Sequence, residues 1–430
     1  MNRLPAIFLI LCLMLPLACC SGSDQPDRDD TVNAGETGTR SPETEIFAPD
    51  GTESGTASSE ARTATGETSV TDDPAVLPDP TPGNAEFVGE LFGEDPDENF
   101  YNYCPTVMTE GNGTMHIWYC SNRDPGDVTD FIAYRRGTLH ADGKWTFTEK
   151  QLVLGPGSDS AWDSRHVCDP SVVKGTFRYD GEDYSYLMAY LGCRSDDSTA
   201  NEVGLAFAKS PEGPWVRYGA NPIADFISSE EYNAANWGYG QPSLVSMDRG
   251  GKVFLFYTKG VATGTFTQVE LWDLTDADHP VRERGAAMPN TGIALNNADF
   301  AYDPAGNCFY CVKEDHTAQE WYPTDGGVNW ISGSVSLLRI RRNGSPDIRD
   351  GIFGGVTYTV LGTIDPAATG YPRNHNAGLV TDEYGWIRDS GDIAAVYSVS
   401  GLATDHPGWT LGGQWPALHT YRLHGYRFFG

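Results

Sequence analysis

Beyond residue 84, apolar residues occur in short runs, and no long stretch has helical periodicity. Each run is bounded by Gly, Pro, Asp or Asn, which is typical of β-strands separated by turns. Trp, Tyr and Phe are frequent in the runs. Clear examples are 115-MHIWYCS, 185-SYLMAYLG, 253-VFLFYTKG and 393-IAAVYSVS. The pattern predicts an all-β domain over residues 85–430, built as a sandwich, a barrel or a propeller.

One short motif recurs along this domain and favours the propeller. A variable residue is followed by Pro, then Ser or Thr, then two apolar residues, and two weaker copies come later in the chain. The copies are 102-NYCPTVM, 167-VCDPSVV, 239-YGQPSLV, 297-NADFAYD and 374-NHNAGLV. The intervals between copies are long enough for one four-stranded sheet each, which is the unit of a β-propeller blade. We therefore predict a five-bladed β-propeller.

The variable position of the motif indicates a site. In a propeller the first strand of each blade lines the channel, so the five residues should meet at one channel mouth. If the motif only punctuated strand starts, small or apolar residues would be expected there. The position instead holds Cys104, Asp169, Gln241, Asp299 and Asn376, of which four are polar.

The N-terminus carries features of export. After Arg3, the apolar run 4–18 suits a secretory signal and is too short to span a bilayer. The stretch 15-LPLACCS-21 resembles the lipobox of bacterial lipoproteins, which implies lipidation of Cys19 or Cys20. An ordinary cleaved signal is the alternative. We expect a signal peptide over 1–20 and an extracytoplasmic protein, periplasmic or at the cell surface, with a lipid anchor in the membrane.

Residues 21–84 form a linker rich in Ser, Thr, Gly, Pro, Asp and Glu. Such a segment has too few apolar residues to offset its ordering entropy, so it is predicted to be a disordered tether. The formal net charge of the chain is −30, which argues against nucleic acid as a partner.

Six cysteines follow residue 100: Cys104, Cys120, Cys168, Cys193, Cys308 and Cys311. The last two form a CxxC inside an apolar run, with no second CxxC or His pair to support zinc. Two interpretations remain, namely buried small side chains or one disulfide, and the sequence does not select its partners.

Two stretches carry a resemblance to a known group. The 169-DPSVV motif and the later strand 203-VGLAFAKSPEGPW-215 are similar to signatures of the five-bladed β-propeller glycoside hydrolases of family 43 and related families. The resemblance implies a glycosidase. It also implies acidic residues at the variable position of the first three blades, where this chain has Cys104, Asp169 and Gln241. Of these three residues, only Asp169 is the acidic residue that the family has at that position. His375 is similar to a histidine that the family has near the channel.

Glycoside hydrolysis needs two carboxyl groups flanking the scissile bond. Asp169 is the first candidate, and Asp299 or Glu314 is the second. Glu202 is a weaker candidate. The structural alternatives are a turn-capping Asp before Pro and a solvated Glu at a strand end.

Aromatic and polar residues precede the motif in consecutive repeats, as expected for sugar recognition, in which aromatic faces stack on sugar rings and amides bond hydroxyls. The candidate substrate-binding residues are Asn102, Tyr103, Trp162, Asp163, His166, Trp237, Tyr239, Gln241, His375 and Asn376. His375 is left open between an acid, a sugar ligand, a metal ligand and a buried structural histidine.

These features predict an extracytoplasmic glycoside hydrolase that acts on oligo- or polysaccharide by carboxylate acid/base chemistry, as a monomer and without a required cofactor. A Ca²⁺ ion on the propeller axis is left open. The alternative is a carbohydrate-binding propeller without activity, because Cys104 and Gln241 replace the family's acid and base. No EF-hand, HExxH, P-loop or dinucleotide motif supports another class.

Overall fold

The structure is a computed structural model, and it describes residues 87–92, 100–125, 127–196, 198–288, 295–315, 332–342, 347–371, 373–400 and 421–428. The predicted signal peptide, its two cysteines and the linker lie outside these residues. The prediction of an all-β domain is confirmed, since strands dominate and both helices are a single turn long. No helix in the described part of the chain is long and apolar enough to cross a membrane.

The strands fall into five groups in chain order. Group 1 has β2 Asn102–Glu110, β3 Thr114–Asn122, β4 Asp130–Leu139, β5 Trp145–Phe147 and β6 Gln151–Leu154. Group 2 has β7 His166–Tyr179, β8 Glu182–Cys193, β9 Glu202–Ala208 and β10 Val216–Arg217. Group 3 has β11 Gly238–Ser246, β12 Lys252–Val261, β13 Gly264–Asp273 and β14 Val281–Ala287.

Group 4 has β15 Asp299–Asp303, β16 Cys308–Asp315, β17 Ser334–Arg342 and β18 Val356–Ile364. Group 5 has β19 Arg373–Thr381, β20 Ala394–Ser400 and β21 Arg422–Arg427, and its fourth strand is β1 Gly89–Glu90 from the N-terminal side. The helices are α1 Ile348–Gly351 and α2 Pro366–Thr369. Pro366 begins α2, and Gly370, in the left-handed conformation, ends it.

Groups 2, 3 and 4 are separate four-stranded antiparallel sheets. Groups 1 and 5 are joined into one nine-stranded sheet by a short parallel pairing of β19 with β2, at Val380 with Val107 and Thr381 with Met108. The first strands β2, β7, β11, β15 and β19 each contact the next in this order, and the β19–β2 pairing closes the circle. The five motif copies are therefore brought next to one another in space.

The hydrophobic core is divided among the contacts between neighbouring groups. Five buried clusters each combine side chains of two adjacent groups, as in the cluster where Phe256 of group 3 stacks on Phe300 of group 4 at 4.0 Å. The second strand of a group is covered on both sides, and all nine residues of β3 are buried. That burial explains why these strands are continuous apolar runs in the sequence.

Candidate active site

The variable residue of the motif has a strained backbone in four copies. The φ angles are positive at Cys104 (48°), Asp169 (48°), Gln241 (49°) and Asn376 (41°). At each of these places the pairing of the first strand with the second shifts register, which marks a β-bulge. Left-handed backbone is uncommon for residues other than glycine, and such strain is concentrated at functional sites.

In the fourth copy, the residue at this place is Asn297, whose φ is 45°. Asp299 comes two residues later, and its own strand pairs with β16 without a register shift. The sequence alignment that put Asp299 at the variable position is therefore wrong by two residues. The error arose because this copy has no proline and carries Asp299 at the place where the first three motifs have a hydroxyl residue.

Asp299 has the place that a hydroxyl residue has in groups 2 and 3. The Ser171 hydroxyl accepts a hydrogen bond from the Leu244 backbone N–H at 2.8 Å, and the Ser243 hydroxyl accepts one from Phe300 at 2.9 Å. Asp299 Oδ2 likewise accepts the Leu379 N–H at 2.8 Å, and its Oδ1 accepts the Ser243 hydroxyl. Each of these side chains links one strand group to the next.

The side chains at the meeting point of the five first strands are called the ring below. Asp169 belongs to this ring, and its carboxylate is near other acidic groups. Burial raises the pKa of Asp169 to about 7, and the negative charges of Asp130 and Glu314 act in the same direction. Hydrogen bonds from the Cys104 thiol and the Gln241 backbone N–H oppose this shift of the pKa. The carboxyl group is therefore able to hold or release a proton near neutral pH.

Asp130 begins β4 and is paired with His166 at the start of β7. His166 Nδ1 lies 3.1 Å from Asp130 Oδ2 and 3.2 Å from the Asp130 backbone nitrogen. The Tyr101 hydroxyl donates to Asp130 Oδ1 at 2.7 Å. The two hydrogen-bonding atoms of Asp130, its carboxylate and its backbone N–H, therefore both face the same imidazole nitrogen and fix the orientation of the ring.

Glu314, near the end of β16 in group 4, is paired with His375 of β19 in group 5. Its Oε1 contacts His375 Nδ1 and accepts the Asn376 backbone N–H at 2.9 Å. Both side chains are nearly inaccessible to solvent, at 0% for Glu314 and 5% for His375. The sequence alternative of a solvated strand-end Glu is wrong, because Glu314 is fully enclosed.

A row of aromatic rings joins these two pairs. The Tyr101 and Tyr103 centroids are 5.6 Å apart, Tyr103 stacks on Tyr421 at 5.3 Å, and Tyr421 stacks on His375 at 5.9 Å. Burial raises the pKa of Tyr103 and of Tyr421 well above the usual value, so both phenols keep their protons as hydrogen-bond donors.

Several buried polar atoms around the ring have no hydrogen-bond partner within the part of the chain that the structure describes. They are His166 Nε2, Gln241 Oε1, Asn376 Oδ1, Ser398 Oγ and the Tyr421 hydroxyl. Unpaired buried polar atoms are costly, and a concentration of them at one place is typical of a binding site. Their donors and acceptors suit a ligand rich in hydroxyl groups.

One disulfide, the possibility that the sequence left open, joins Cys120 of β3 to Cys168 of β7. It links group 1 to group 2 immediately beside Asp169, whose backbone N–H donates to Cys120 Sγ at 2.9 Å. Cys104, Cys193, Cys308 and Cys311 are buried and form no disulfide. The CxxC residues are thus the buried small side chains that the sequence favoured.

The structure brings six of the predicted site residues to the ring, in addition to Asp169 and Glu314: Tyr103, His166, Trp237, Gln241, His375 and Asn376. Trp237 packs with Tyr103 against Cys104, Cys120 and Cys168. Asn102 is buried at the start of β2, where its backbone N–H donates to the Tyr421 carbonyl at 3.1 Å. The roles of these residues stay predictions.

Three other predicted residues are engaged elsewhere. Trp162 covers Gly192 and Gly204, where a Cβ atom would collide with the indole. Asp163 is fully buried and binds Arg217 Nε at 2.8 Å and the Tyr190 hydroxyl at 3.0 Å. Tyr239 belongs to the core between groups 2 and 3, with its hydroxyl on Glu231.

Glu202, the weaker catalytic candidate, is buried at the start of β9. Burial raises the pKa of Glu202 to about 7, and a shared hydrogen bond with Asp225 has the same direction. Its Oε1 accepts the Ile227 backbone N–H at 3.2 Å. It contacts Arg194, Asp225 and Ile227, and none of these three residues belongs to the ring.

Sequence reasoning missed Asp130, Tyr101 and Tyr421. Asp130 opens the third strand of group 1 in 130-DFIAYRR, outside the repeated motif, and Tyr421 belongs to the last group. Because neither position recurs between repeats, no periodic signal could have identified them.

Together these side chains define a class of site: a cluster of carboxyl groups, two of them in contact with histidines, where the first strands of a closed circle of β-sheets meet. No protein-family model and no curated protein matches the chain. Solved structures do resemble it, and they are propeller glycoside hydrolases of families 43, 62 and 117. The resemblance predicted from the sequence motifs, to family 43 and its relatives, is confirmed.

One similar structure is a family 117 glycoside hydrolase of the marine bacterium Zobellia galactanivorans, at 12% identity and TM-score 0.47, covering 80% of this chain and 91% of the other. Another is an α-L-arabinofuranosidase of Podospora anserina in complex with cellotriose, at 13% identity and TM-score 0.48, covering 80% of this chain and 94% of the other. A third is a family 43 enzyme of Xanthomonas citri complexed with xylotriose, at 13% identity and TM-score 0.43, covering 78% of this chain and 89% of the other. At identities this low, the likeness assigns no role to any residue of this chain.

Proposed function

We propose that the protein is a glycoside hydrolase built on a five-bladed β-propeller, with its reaction centre at Asp169. The five strand groups are taken as the blades, and the closed circle of first strands is taken as the channel wall. The pairing of β1 with β21, at Gly89 with Gly425, supports this because it completes the last blade with an N-terminal strand.

The observation that carries the proposal is the Asp169 carboxyl, whose pKa is raised to about 7 and on which the charges of Asp130 and Glu314, each paired with a histidine, both act. Hydrolysis of a glycosidic bond requires one carboxyl group that is protonated and another that is ionised. A pKa of about 7 for Asp169 suits the acid, which protonates the leaving oxygen. Asp130 and Glu314 are the nearby carboxyl groups whose charges act on Asp169.

Of these two, we propose Glu314 as the base that activates water or attacks the sugar. Its carboxylate receives the Asn376 N–H and contacts His375, which hold it in a fixed orientation. Asp299, the other predicted partner, uses both carboxylate oxygens to join neighbouring strands. We propose that Asp299 positions the ring and does not react.

Substrate is proposed to be an oligo- or polysaccharide, bound by the tyrosine row and by Gln241 and Asn376. The row offers apolar faces to sugar rings, and the amide oxygens without partners accept hydroxyl hydrogens. The class of sugar is set by the shape of this ring of side chains.

The test is hydrolysis of a panel of aryl glycosides and oligosaccharides by the wild type and by Asp169→Asn and Glu314→Gln. We expect activity on at least one substrate and a loss of 10²-fold or more in kcat in both variants, the order of magnitude for general acid–base groups. Asp159→Asn is the matched control, because this carboxyl is exposed. If Asp169→Asn turns over as fast as wild type, Asp169 is not the acid.

The second candidate function is sugar binding without hydrolysis. Cys104 and Gln241 have the same strained backbone as Asp169 but carry no carboxyl group, and this favours it. Isothermal titration calorimetry with the same oligosaccharides separates the two functions. Binding without product after days of incubation supports the binding protein, and any turnover that Asp169→Asn abolishes supports the enzyme.

We further propose that the protein is an extracytoplasmic monomer anchored through lipid on Cys19 or Cys20. The apolar run and the lipobox-like stretch in the sequence support this. Mass spectrometry of the mature N-terminus would detect a diacylglyceryl cysteine. An unmodified N-terminus beyond residue 20 would support the ordinary cleaved signal instead.

A further inference from the structure

Three sulfur atoms and a carboxylate meet beside the proposed reaction centre. The Sγ atoms of Cys104, Cys120 and Cys168 and a carboxylate oxygen of Asp169 all lie within 4.8 Å of one another. Cys104 and Asp169 are the variable residues of the first two motifs, and the other two cysteines come from β3 and β7. The four side chains are held on three strands of two groups that contact each other.

We propose that this cluster is a redox-gated binding site for a thiophilic divalent cation of the zinc class. In the oxidised protein Cys120 and Cys168 are joined by a disulfide, and two of the four donors are unavailable. In the reduced protein, the three thiolates and the Asp169 carboxylate form a four-donor set. This function is separate from glycoside hydrolysis and does not depend on it.

The geometry suits a tetrahedral ion. Zinc–thiolate bonds of about 2.3 Å place two sulfurs of a tetrahedron about 3.8 Å apart, and the donor atoms of the cluster all lie within 4.8 Å of one another. Reduction has to let the sulfurs of Cys120 and Cys168, bonded to each other in the disulfide, move apart to that spacing. Three sulfurs and one oxygen are a donor set that zinc and other borderline-soft cations prefer over magnesium or calcium.

Neighbouring groups support a metal-thiolate site. The Asp169 backbone N–H donates to Cys120 Sγ at 2.9 Å, and after reduction this donor is in place to hydrogen-bond the Cys120 thiolate. Tyr103 and Trp237 pack against the three cysteines and screen them from water. The charges of Asp130 and Glu314 act on the same cluster and favour a cation.

The redox step is a two-electron reduction. A phosphine or dithiol reductant supplies two electrons and two protons are taken up, so the Cys120–Cys168 bond becomes two thiols. Binding of one divalent cation then releases the protons of the three thiols, while Asp169 binds as its carboxylate. Reoxidation by a small-molecule disulfide removes two electrons from the Cys120 and Cys168 thiolates, whose sulfurs rejoin. The oxidant leaves as two thiols, Cys104 takes up a proton, and the ion is released.

The experiment measures cobalt and zinc binding by the purified chain before and after treatment with a phosphine reductant under anaerobic conditions. Co²⁺ reports thiolate ligation through intense charge-transfer absorption in the near ultraviolet, and elemental analysis after dialysis gives the zinc stoichiometry. We expect about one tightly bound ion per reduced chain, none per oxidised chain, and displacement of Co²⁺ by Zn²⁺.

The variants Cys104→Ser and Asp169→Asn should each reduce the affinity at least tenfold, and Cys193→Ser, another buried cysteine that forms no disulfide, should leave it unchanged. Circular dichroism of each variant verifies folding, and Asp169→Asn, a nearly isosteric change, keeps the test decisive if Cys104→Ser does not fold. Thiol titration verifies that the disulfide has been reduced. The proposal is overturned if the reduced wild type binds no ion, or if Cys193→Ser loses binding as much as Cys104→Ser.

Discussion

The imidazole Nδ1 of His166 lies 3.1 Å from Oδ2 of Asp130, and both residues are at the starts of strands in different groups. The other oxygen of this carboxylate accepts the Tyr101 hydroxyl at 2.7 Å. The charge of Asp130 acts on the Asp169 carboxyl, as does that of Glu314, whose carboxylate contacts His375.

Asp130 is predicted to contribute to the raised pKa of Asp169 through its negative charge. In Asp130→Asn the negative charge that raises the pKa of Asp169 is removed. The upper limb of the pH profile of kcat/KM should therefore move to lower pH, by a fraction of a unit to one unit. The measurement is the pH–rate profile, and Asp159→Asn is the control. An unshifted profile in a folded variant would mean that Asp130 acts only as a structural residue.

The raised pKa of Asp169 leads to a prediction of how both activity and stability depend on pH. Its pKa in the folded protein is about 7, above the value of about 3.9 expected for an unfolded chain. As an acid it is active when protonated, so kcat should fall as the pH rises through 7. The folded state binds this proton more tightly than the unfolded state. Its contribution to stability is therefore complete below about pH 4 and is lost as the pH rises through 7.

The check is chemical denaturation at intervals from pH 4 to 8, comparing the wild type with Asp169→Asn. The wild type should lose stability relative to the variant across this range. A parallel pair of curves would show that the Asp169 carboxyl has no raised pKa.

Asp299 is predicted to be replaceable by serine. Ser171 and Ser243 make the corresponding link to the next strand group, so Asp299→Ser should keep the fold and most of the activity. Asp299→Leu should lose about 1–3 kcal/mol in the free energy of unfolding, because it leaves the Leu379 N–H without its acceptor. Urea denaturation and kcat of both variants are the measurements. A loss of activity by 10²-fold or more in folded Asp299→Ser would instead identify Asp299 as a catalyst.

The Cys120–Cys168 disulfide closes a loop with a sequence separation of 48 residues. Its removal should lower the free energy of unfolding by about 2–4 kcal/mol. The variant is Cys120→Ser with Cys168→Ser, compared by urea denaturation with Cys308→Ser with Cys311→Ser, which alters no disulfide. Equal stability of the wild type and the first double variant would show that the disulfide does not form in the purified chain.

Chelation distinguishes the carboxylate mechanism from one that needs calcium. Incubation with EDTA should leave kcat unchanged, since the proposed acid and base, Asp169 and Glu314, are side chains of the protein. Activity that is lost with EDTA and restored by Ca²⁺ would establish an axial calcium ion and a metal role for His375.

The strand pattern determined the fold class, because short apolar runs between turn residues bury their side chains in sheets whatever the order of the sheets. The Pro-led motif also placed Cys104, Asp169 and Gln241 at equivalent positions, because a fixed local geometry recurs wherever the same residues recur. At all three the motif coincides with a positive φ and a β-bulge. The last two copies lack the proline. Asn376 was still aligned with its equivalents, whereas the fourth copy was misaligned by two residues because Asp299 stands where the first three copies have a hydroxyl residue.

Only the tertiary structure decided which groups surround Asp169. Asp130 and Tyr421 come from strands outside the motif, and Cys120 pairs with Cys168 across two strand groups. Trp162, Asp163 and Tyr239 looked like site residues in the sequence but fill contacts between or within groups. Local pattern specifies which strand a residue belongs to, whereas the neighbours that set its pKa and its chemistry are chosen by how distant strands pack together.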